Sequence, residues 1–433
     1  MTTTLNRLLA GTLPDADAAG TLTVPVRSVV IGHDLAAAAA ALVAPLGAGE
    51  RVAVIHDPDT RAAMGAAVAA ALSSQHELTE VLLPAGPQPD ADTVAHVRAA
   101  AAGATMLVAV GSGTINDLAK YAAHCDGKPY VVFGTAPSMN GYTSVSAAIT
   151  EHGHKKSLPA SAARGVFLDL DVLAAAPPRL IAAGFGDSIC RPTAQADWLL
   201  SHLLLGTAYR ETPFRLLAED EPALIASATG LRTGDRTALE LLARTLVLSG
   251  FGMTLCGSSY PASQGEHLIS HYLDMLGDPA WPTSFHGEHI AVTTLTMARL
   301  QTLLLSRSEP PTLRPTDDTE TAFIDHFGPE LGAECWSAFA PKRLDADTTA
   351  ALTDRLQTRW PEIRARIGAV MQPVTALDAA LSNLAAPRTP EALGIPRPFY
   401  RQAVQHARQI RDRFTMLDFA ALAGLLPAFA ADA

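Results

Sequence analysis

Three histidines and an aspartate hold the densest chemistry in this sequence. In Pro261–His271 (PASQGEHLISH), His267 and His271 stand four residues apart, a spacing that puts both imidazoles on one face of a helix. His286 follows in FHGEH, and Asp187 precedes them in GFGD. One carboxylate with two imidazoles suits divalent zinc, nickel or iron and leaves positions open for a substrate oxygen. A metal so held acts as a Lewis acid that polarises a carbonyl or acidifies a bound hydroxyl. Glu266 and Glu288 are placed to support such ligands by hydrogen bonds. Plainer readings compete: Asp187 as a cap at a loop-to-helix junction, and each histidine as a surface residue.

A second constellation is the run Val108–Lys120 (VAVGSGTINDLAK). An apolar strand enters Gly111-Ser112-Gly113-Thr114 and a helix containing Asp117 starts directly after. Glycines allow close backbone approach to an anion, and the free N–H groups and dipole of a helix start favour phosphate. Ser112 and Thr114 add hydroxyl donors. The run is neither GxGxxG nor a Walker loop, and a plain strand–turn–helix with a Ser/Thr cap would look similar. Asp57, after the strand RVAVI, is suited to the ribose hydroxyls of a dinucleotide, or equally to a turn or helix cap shared with Asp59.

These residues need a scaffold, and the hydrophobic pattern supplies one. Strand-like runs at Val26–Gly32, Arg51–Ile55, Glu77–Leu83, Thr105–Val110 and Pro129–Phe133 alternate with helical stretches at 60–72, 91–102 and 114–123. Such alternation predicts a parallel sheet with helices on both faces. Beyond about residue 178 strand-like runs nearly vanish, and helical spacing dominates 189–205, 237–255, 265–275, 289–305 and 345–367. The expectation is a Rossmann-like α/β domain over residues 1–180 and an all-α domain over 181–433. A chain of 433 residues also exceeds one ordinary core.

Composition narrows the function classes. A net charge of −11 argues against a nucleic-acid groove, though not against a small phosphorylated ligand. Four scattered cysteines without a CxxC pattern argue against a disulfide framework and suit a reducing cytoplasm. The N-terminal stretch has no apolar run of signal-peptide length, and no membrane partner is expected.

The ordered motifs VAVGSGTINDLAK, TAPSMNGYTS, GFGDSICRPTAQADW, PASQGEHLISH and FHGE resemble the sn-glycerol-1-phosphate dehydrogenases, within the superfamily of iron-type alcohol dehydrogenases and dehydroquinate synthases. The match covers roughly residues 25–300. The resemblance implies an N-terminal Rossmann-like domain, a helical C-terminal domain, NAD or NADP on the GSGT turn, and reversible reduction of dihydroxyacetone phosphate. It implies a divalent metal (zinc, nickel or iron) on Asp187, His267 and His286, with His271 beside it. It places Thr135, Ser138 and Ser144 near nicotinamide and substrate, and Lys155 and Lys156 where the family carries a basic residue. It also implies a homo-oligomer, a homodimer or larger.

Three positions depart from the family pattern. Asn140 stands where Asp is usual, Tyr260 where Arg precedes the proline, and Arg191 where Lys is common. The sequence is therefore read as a metal-dependent NAD(P) oxidoreductase of a small phosphorylated secondary alcohol, with His271, Asn140 and Lys155 as candidate catalytic residues. Asp57 leans toward NAD, because its charge repels a 2′-phosphate. The alternatives are an NAD-using cyclase or lyase on the same fold, a divergent dehydrogenase with a different natural-product-type substrate, or a non-catalytic binder of nucleotide or a partner.

Overall fold

The computed structural model describes residues 3–151 and 154–433, without the side chains of residues 151, 154 and 155. The chain divides into two compact units. One comprises Met1–Ser188, Glu211–Ser258 and Asn383–Ala385; the other comprises Ile189–Arg210, Ser259–Ser382 and Ala386–Ala433. These units are discontinuous in sequence, whereas the expected division is a single cut after residue 180. The long helix Arg236–Cys256 lies in the first unit.

The first unit is built on a six-stranded parallel sheet. Its strands are β1 (Ser28–Gly32), β2 (Arg51–His56), β3 (Glu77–Leu82), β4 (Met106–Gly111), β5 (Tyr130–Gly134) and β8 (Gly165–Asp169), in the order β1-β8-β5-β4-β2-β3. β6 (Ser146–Glu151) and β7 (His154–Pro159) form a separate antiparallel pair, which the hydrophobic pattern did not suggest. All of β4, β5 and β8 is buried, as expected for strands covered on both faces. Leu107, Val108 and their neighbours therefore read as continuous apolar runs rather than alternating ones.

Strand order reverses between β2 and β4, which are hydrogen-bonded neighbours with Ile55 opposite Ala109. From β2 the chain runs outward to β3; from β4 it runs the other way to β5. Such a switch point opens a crevice at the carboxyl ends of the strands. Asp57 follows β2 there, Ser112 follows β4, and Thr135 follows β5.

The second unit is all-helical. A core including Leu200, Leu268, Met297, Leu356, Trp360, Tyr400 and Phe419 ties its helices together. Gly265–Leu276 and His286–Leu305 pack side by side in it. By length and composition Arg236–Cys256 alone among the described residues would be long and apolar enough to cross a membrane; two thirds of its apolar window is buried against the first unit's elements.

Candidate active site

In the first unit the helix Gly113–Cys125 starts at Ser112, whose side chain makes no capping hydrogen bond. Ser112, Gly113 and Thr114 are half-buried, and the N–H groups of the first turn have no partner within the helix. Gly111 is required by packing: a Cβ there would fall 2.5 Å from Ile115.

Asp57 is the N-cap of the turn that follows β2. Its Oδ1 accepts the Thr60 N–H and hydroxyl, each at 2.8 Å, in a capping box. The cap reading thus describes Asp57 in this structure, and Oδ1 is committed to it. Asp117 and Ser144 are likewise engaged by groups inside the protein. Buried Lys120 donates to Asp117 Oδ1 at 3.4 Å, Gly141 O at 2.7 Å, Ser144 Oγ at 3.2 Å and Ser146 O at 2.9 Å. Asp117 Oδ2 accepts the Ala148 N–H. Lys120 therefore ties the helix after the glycine turn to the loop 138–146. Nothing in its local sequence pattern signals this, because every carbonyl it meets lies more than 20 residues away.

That loop carries Ser138 and Asn140, and Thr135 leads into it; Thr135 is buried and the other two are half-buried. Two glycines let helices grip it. A Cβ on Gly184 would lie 1.6 Å from Pro137 O, and one on Gly250 would lie 2.4 Å from Asn140 O. Asp187 sits in the last turn of the helix Pro178–Ile189, inside the helix rather than at its cap as one reading expected. The Asn140 N–H donates to Asp187 Oδ2 at 3.0 Å, and the Asn140 side chain donates to Ser249 Oγ at 3.4 Å. The Lys155 side chain lies outside the described residues.

The second unit brings the three histidines together. Ring centroids of His267 and His286 are 5.1 Å apart, those of His267 and His271 6.0 Å, and those of His271 and His286 5.9 Å. His286 begins the helix His286–Leu305 instead of preceding it. Burial drives His267 down to about 3, and burial with the neighbouring imidazoles and Arg411 drives His271 well below its ordinary value. Both rings are therefore neutral at physiological pH, the form that donates a lone pair.

Buried Glu266 Oε1 accepts from His267 Nδ1 at 2.9 Å. With Glu266 ionised, Nδ1 carries the proton and Nε2 is left as the donor atom. Glu266 itself is raised to about 7 by burial. Cys190, Glu266 and His267 offer ligand atoms within 4.8 Å of one another, all buried, two of them joined by the Glu266–His267 bond. Glu288 Oε2 accepts the Phe285 N–H and caps the helix that His286 begins. Three clustered imidazoles, with His267 and His271 held neutral by burial and one ring held by a carboxyl group, fit a divalent metal.

Sequence reasoning missed the frame around this cluster. Asp197 is fully buried; its Oδ2 accepts the Gly265 N–H at 3.0 Å, and its Oδ1 accepts from Gln301 and from the Met416 N–H. Arg413 donates to Ser259 Oγ at 2.7 Å and to Ser263 O, and its guanidinium lies 4.5 Å from the Tyr260 ring centroid. Where the family pattern has an arginine at position 260, this chain stacks one from its C-terminal segment onto a tyrosine.

Comparison with known proteins matches residues 30–177 to the family described as iron-containing alcohol dehydrogenase. A glycerol-1-phosphate dehydrogenase [NAD(P)+] of Thermococcus kodakarensis is 32% identical over 274 residues, 63% of this chain and 77% of the relative. The enzyme of the same name from Pyrococcus horikoshii is 30% identical over 305 residues, 70% of this chain and 87% of the relative. The one from Bacillus licheniformis is 28% identical over 384 residues, 87% and 84%. Among solved structures, glycerol dehydrogenase from Schizosaccharomyces pombe has a TM-score of 0.62 at 16% identity, covering 97% of this chain and 93% of that one, a likeness of fold.

Proposed function

Because the chain belongs to the glycerol-1-phosphate dehydrogenase family of iron-containing alcohol dehydrogenases, we propose that it reversibly reduces dihydroxyacetone phosphate to sn-glycerol 1-phosphate. It is a metal-dependent NAD(P) oxidoreductase. The observation that carries the substrate-side chemistry is the imidazole cluster: His267, His271 and His286 gathered together, with the Glu266 carboxyl holding the His267 ring.

In this reading Asp187, His267 and His286 hold the metal. When bound there, zinc, nickel or iron supplies Lewis acidity toward the substrate oxygen, and the nicotinamide supplies the hydride. His271, beside the ligands and neutral, takes or returns the proton at the carbinol oxygen through an imidazole nitrogen. Asn140 and Lys155 orient substrate. Thr135 and Ser138 face nicotinamide and substrate, and the first-turn N–H groups after Gly111, with the Ser112 and Thr114 hydroxyls, take the pyrophosphate. Asp117, Ser144 and Lys120 act one step back by holding the loop. Asp57 turns its remaining carboxylate oxygen to the ribose and favours NAD over NADP. The chain works as a homo-oligomer in the cytoplasm.

Product analysis tests the assignment. The metal-loaded protein, given NADH or NADPH and dihydroxyacetone phosphate, should yield sn-glycerol 1-phosphate, identified by its failure as a substrate for an enzyme specific to the 3-phosphate. Formation of the 3-phosphate, or turnover confined to unphosphorylated ketones, would overturn it.

A further inference from the structure

Three arginines fall within six residues of the C-terminal segment, at 408, 411 and 413. Two of them are closed by protein partners. Arg408 Nη2 meets both oxygens of Asp318, at 2.6 and 2.8 Å, and its guanidinium lies over Phe339. Arg413 is buried on Ser259, Ser263 and the Tyr260 ring. Arg411 is half-buried and makes neither a hydrogen bond nor an ion pair among the described residues.

Its neighbours hold it in place. Lys342 Nζ donates to the carbonyls of Arg408 and Arg413, at 2.6 and 2.8 Å, and so clamps the backbone on either side. The single turn Ala407–Ile410, which ends at Arg411, packs against the helix Gly265–Leu276. That helix presents His267 and His271, and the charge of Arg411 bears on both rings. A half-buried guanidinium without a carboxylate, on a turn packed against the helix of these rings, leaves positive charge uncompensated, which is unfavourable until an anion arrives.

We propose that Arg411 binds the phosphate of the substrate, its guanidinium taking the dianion of a phosphomonoester on a small hydroxyketone. The proposal rests on the reading of the chain as a dehydrogenase of a phosphorylated ketone and adds the residue that selects for the phosphate. Arg413, pinned on Tyr260, and Arg408, pinned on Asp318, are the anchors that keep the segment rigid enough to offer Arg411 to a ligand.

The test compares holoenzyme carrying Arg411→Gln or Arg411→Lys with wild type, using dihydroxyacetone phosphate, unphosphorylated dihydroxyacetone and inorganic phosphate. Loss of charge-assisted hydrogen bonds should raise the KM for dihydroxyacetone phosphate about 10- to 100-fold in Arg411→Gln. The preference for the phosphorylated over the unphosphorylated ketone should collapse, the KM for NADH should hold, and Arg411→Lys should recover part of the loss. Calorimetric titration of inorganic phosphate reads the same site without turnover: wild type should bind, and Arg411→Gln should bind more weakly by a similar factor. An Arg411→Gln enzyme with wild-type KM and wild-type phosphate binding would overturn the proposal. Wild type that binds phosphate through Arg411 yet leaves dihydroxyacetone phosphate unreduced would uphold this site and defeat the substrate assignment instead.

Discussion

Glu266 Oε1 lies 2.9 Å from His267 Nδ1, with both side chains buried and adjacent on one helix. The same oxygen accepts the Gln264 N–H at 2.8 Å, so the carboxylate is fixed from two sides before it fixes the ring. The orientation of the His267 ring is thereby set in the protein's own framework.

Glu266→Ala should weaken metal binding about 10- to 100-fold, the usual cost of losing a partner of a ligating histidine. Chelator competition would measure it. Unchanged affinity would show that packing alone orients His267.

Asp187→Asn and His267→Ala should each lose bound metal and turnover together. Metal content by emission spectrometry, beside NADH oxidation, reads both. Full turnover in either metal-depleted variant would remove these residues from the ligand set.

Gly184→Ala should be poorly tolerated. The new Cβ would fall 1.6 Å from Pro137 O, a backbone atom that cannot yield without moving the loop bearing Ser138 and Asn140. Overpacking of this kind costs about 1–3 kcal/mol or more. A thermal midpoint equal to wild type would contradict the close approach.

Lys120→Met should cost about 3 kcal/mol, because it removes a buried ammonium that the part-buried Gly141 and Ser146 carbonyls and Asp117 share. Urea unfolding followed in the Rossmann-like unit gives the value, and the KM for NADH should rise as the loop loosens. A loss below 1 kcal/mol would mean that solvent replaces the ammonium at these oxygens.

Asp57→Ala should cost about 1 kcal/mol through the lost N-cap and shift cofactor preference toward NADPH. Loss of stability with no change in preference would confine Asp57 to capping.

What the sequence made legible was local. Apolar runs located β1 to β5 of the six-stranded sheet but not β8, and a four-residue interval put His267 and His271 on one helix face. Glu266 was legible as a partner because it is His267's immediate neighbour. The rest rests on distant pairings that no short pattern encodes. Met416 reaches Asp197 across 219 residues, Arg413 reaches Ser263 across 150, and Lys120 grips a loop more than 20 residues on. Asp57 and Ser144 carried types suited to a ligand, and their local partners, the Thr60 N–H on Asp57 Oδ1 and the Ser146 carbonyl on the Ser144 hydroxyl, could not be told from type alone. The β6–β7 pair went unread because Ser146–Pro159 mixes small and basic residues without a clean alternation.

The most direct test of the central claim is NADH oxidation with dihydroxyacetone phosphate before and after chelation and metal return. The account expects turnover that vanishes on stripping and recovers with one equivalent of zinc, nickel or iron per chain. Turnover that survives complete removal of the metal would contradict it.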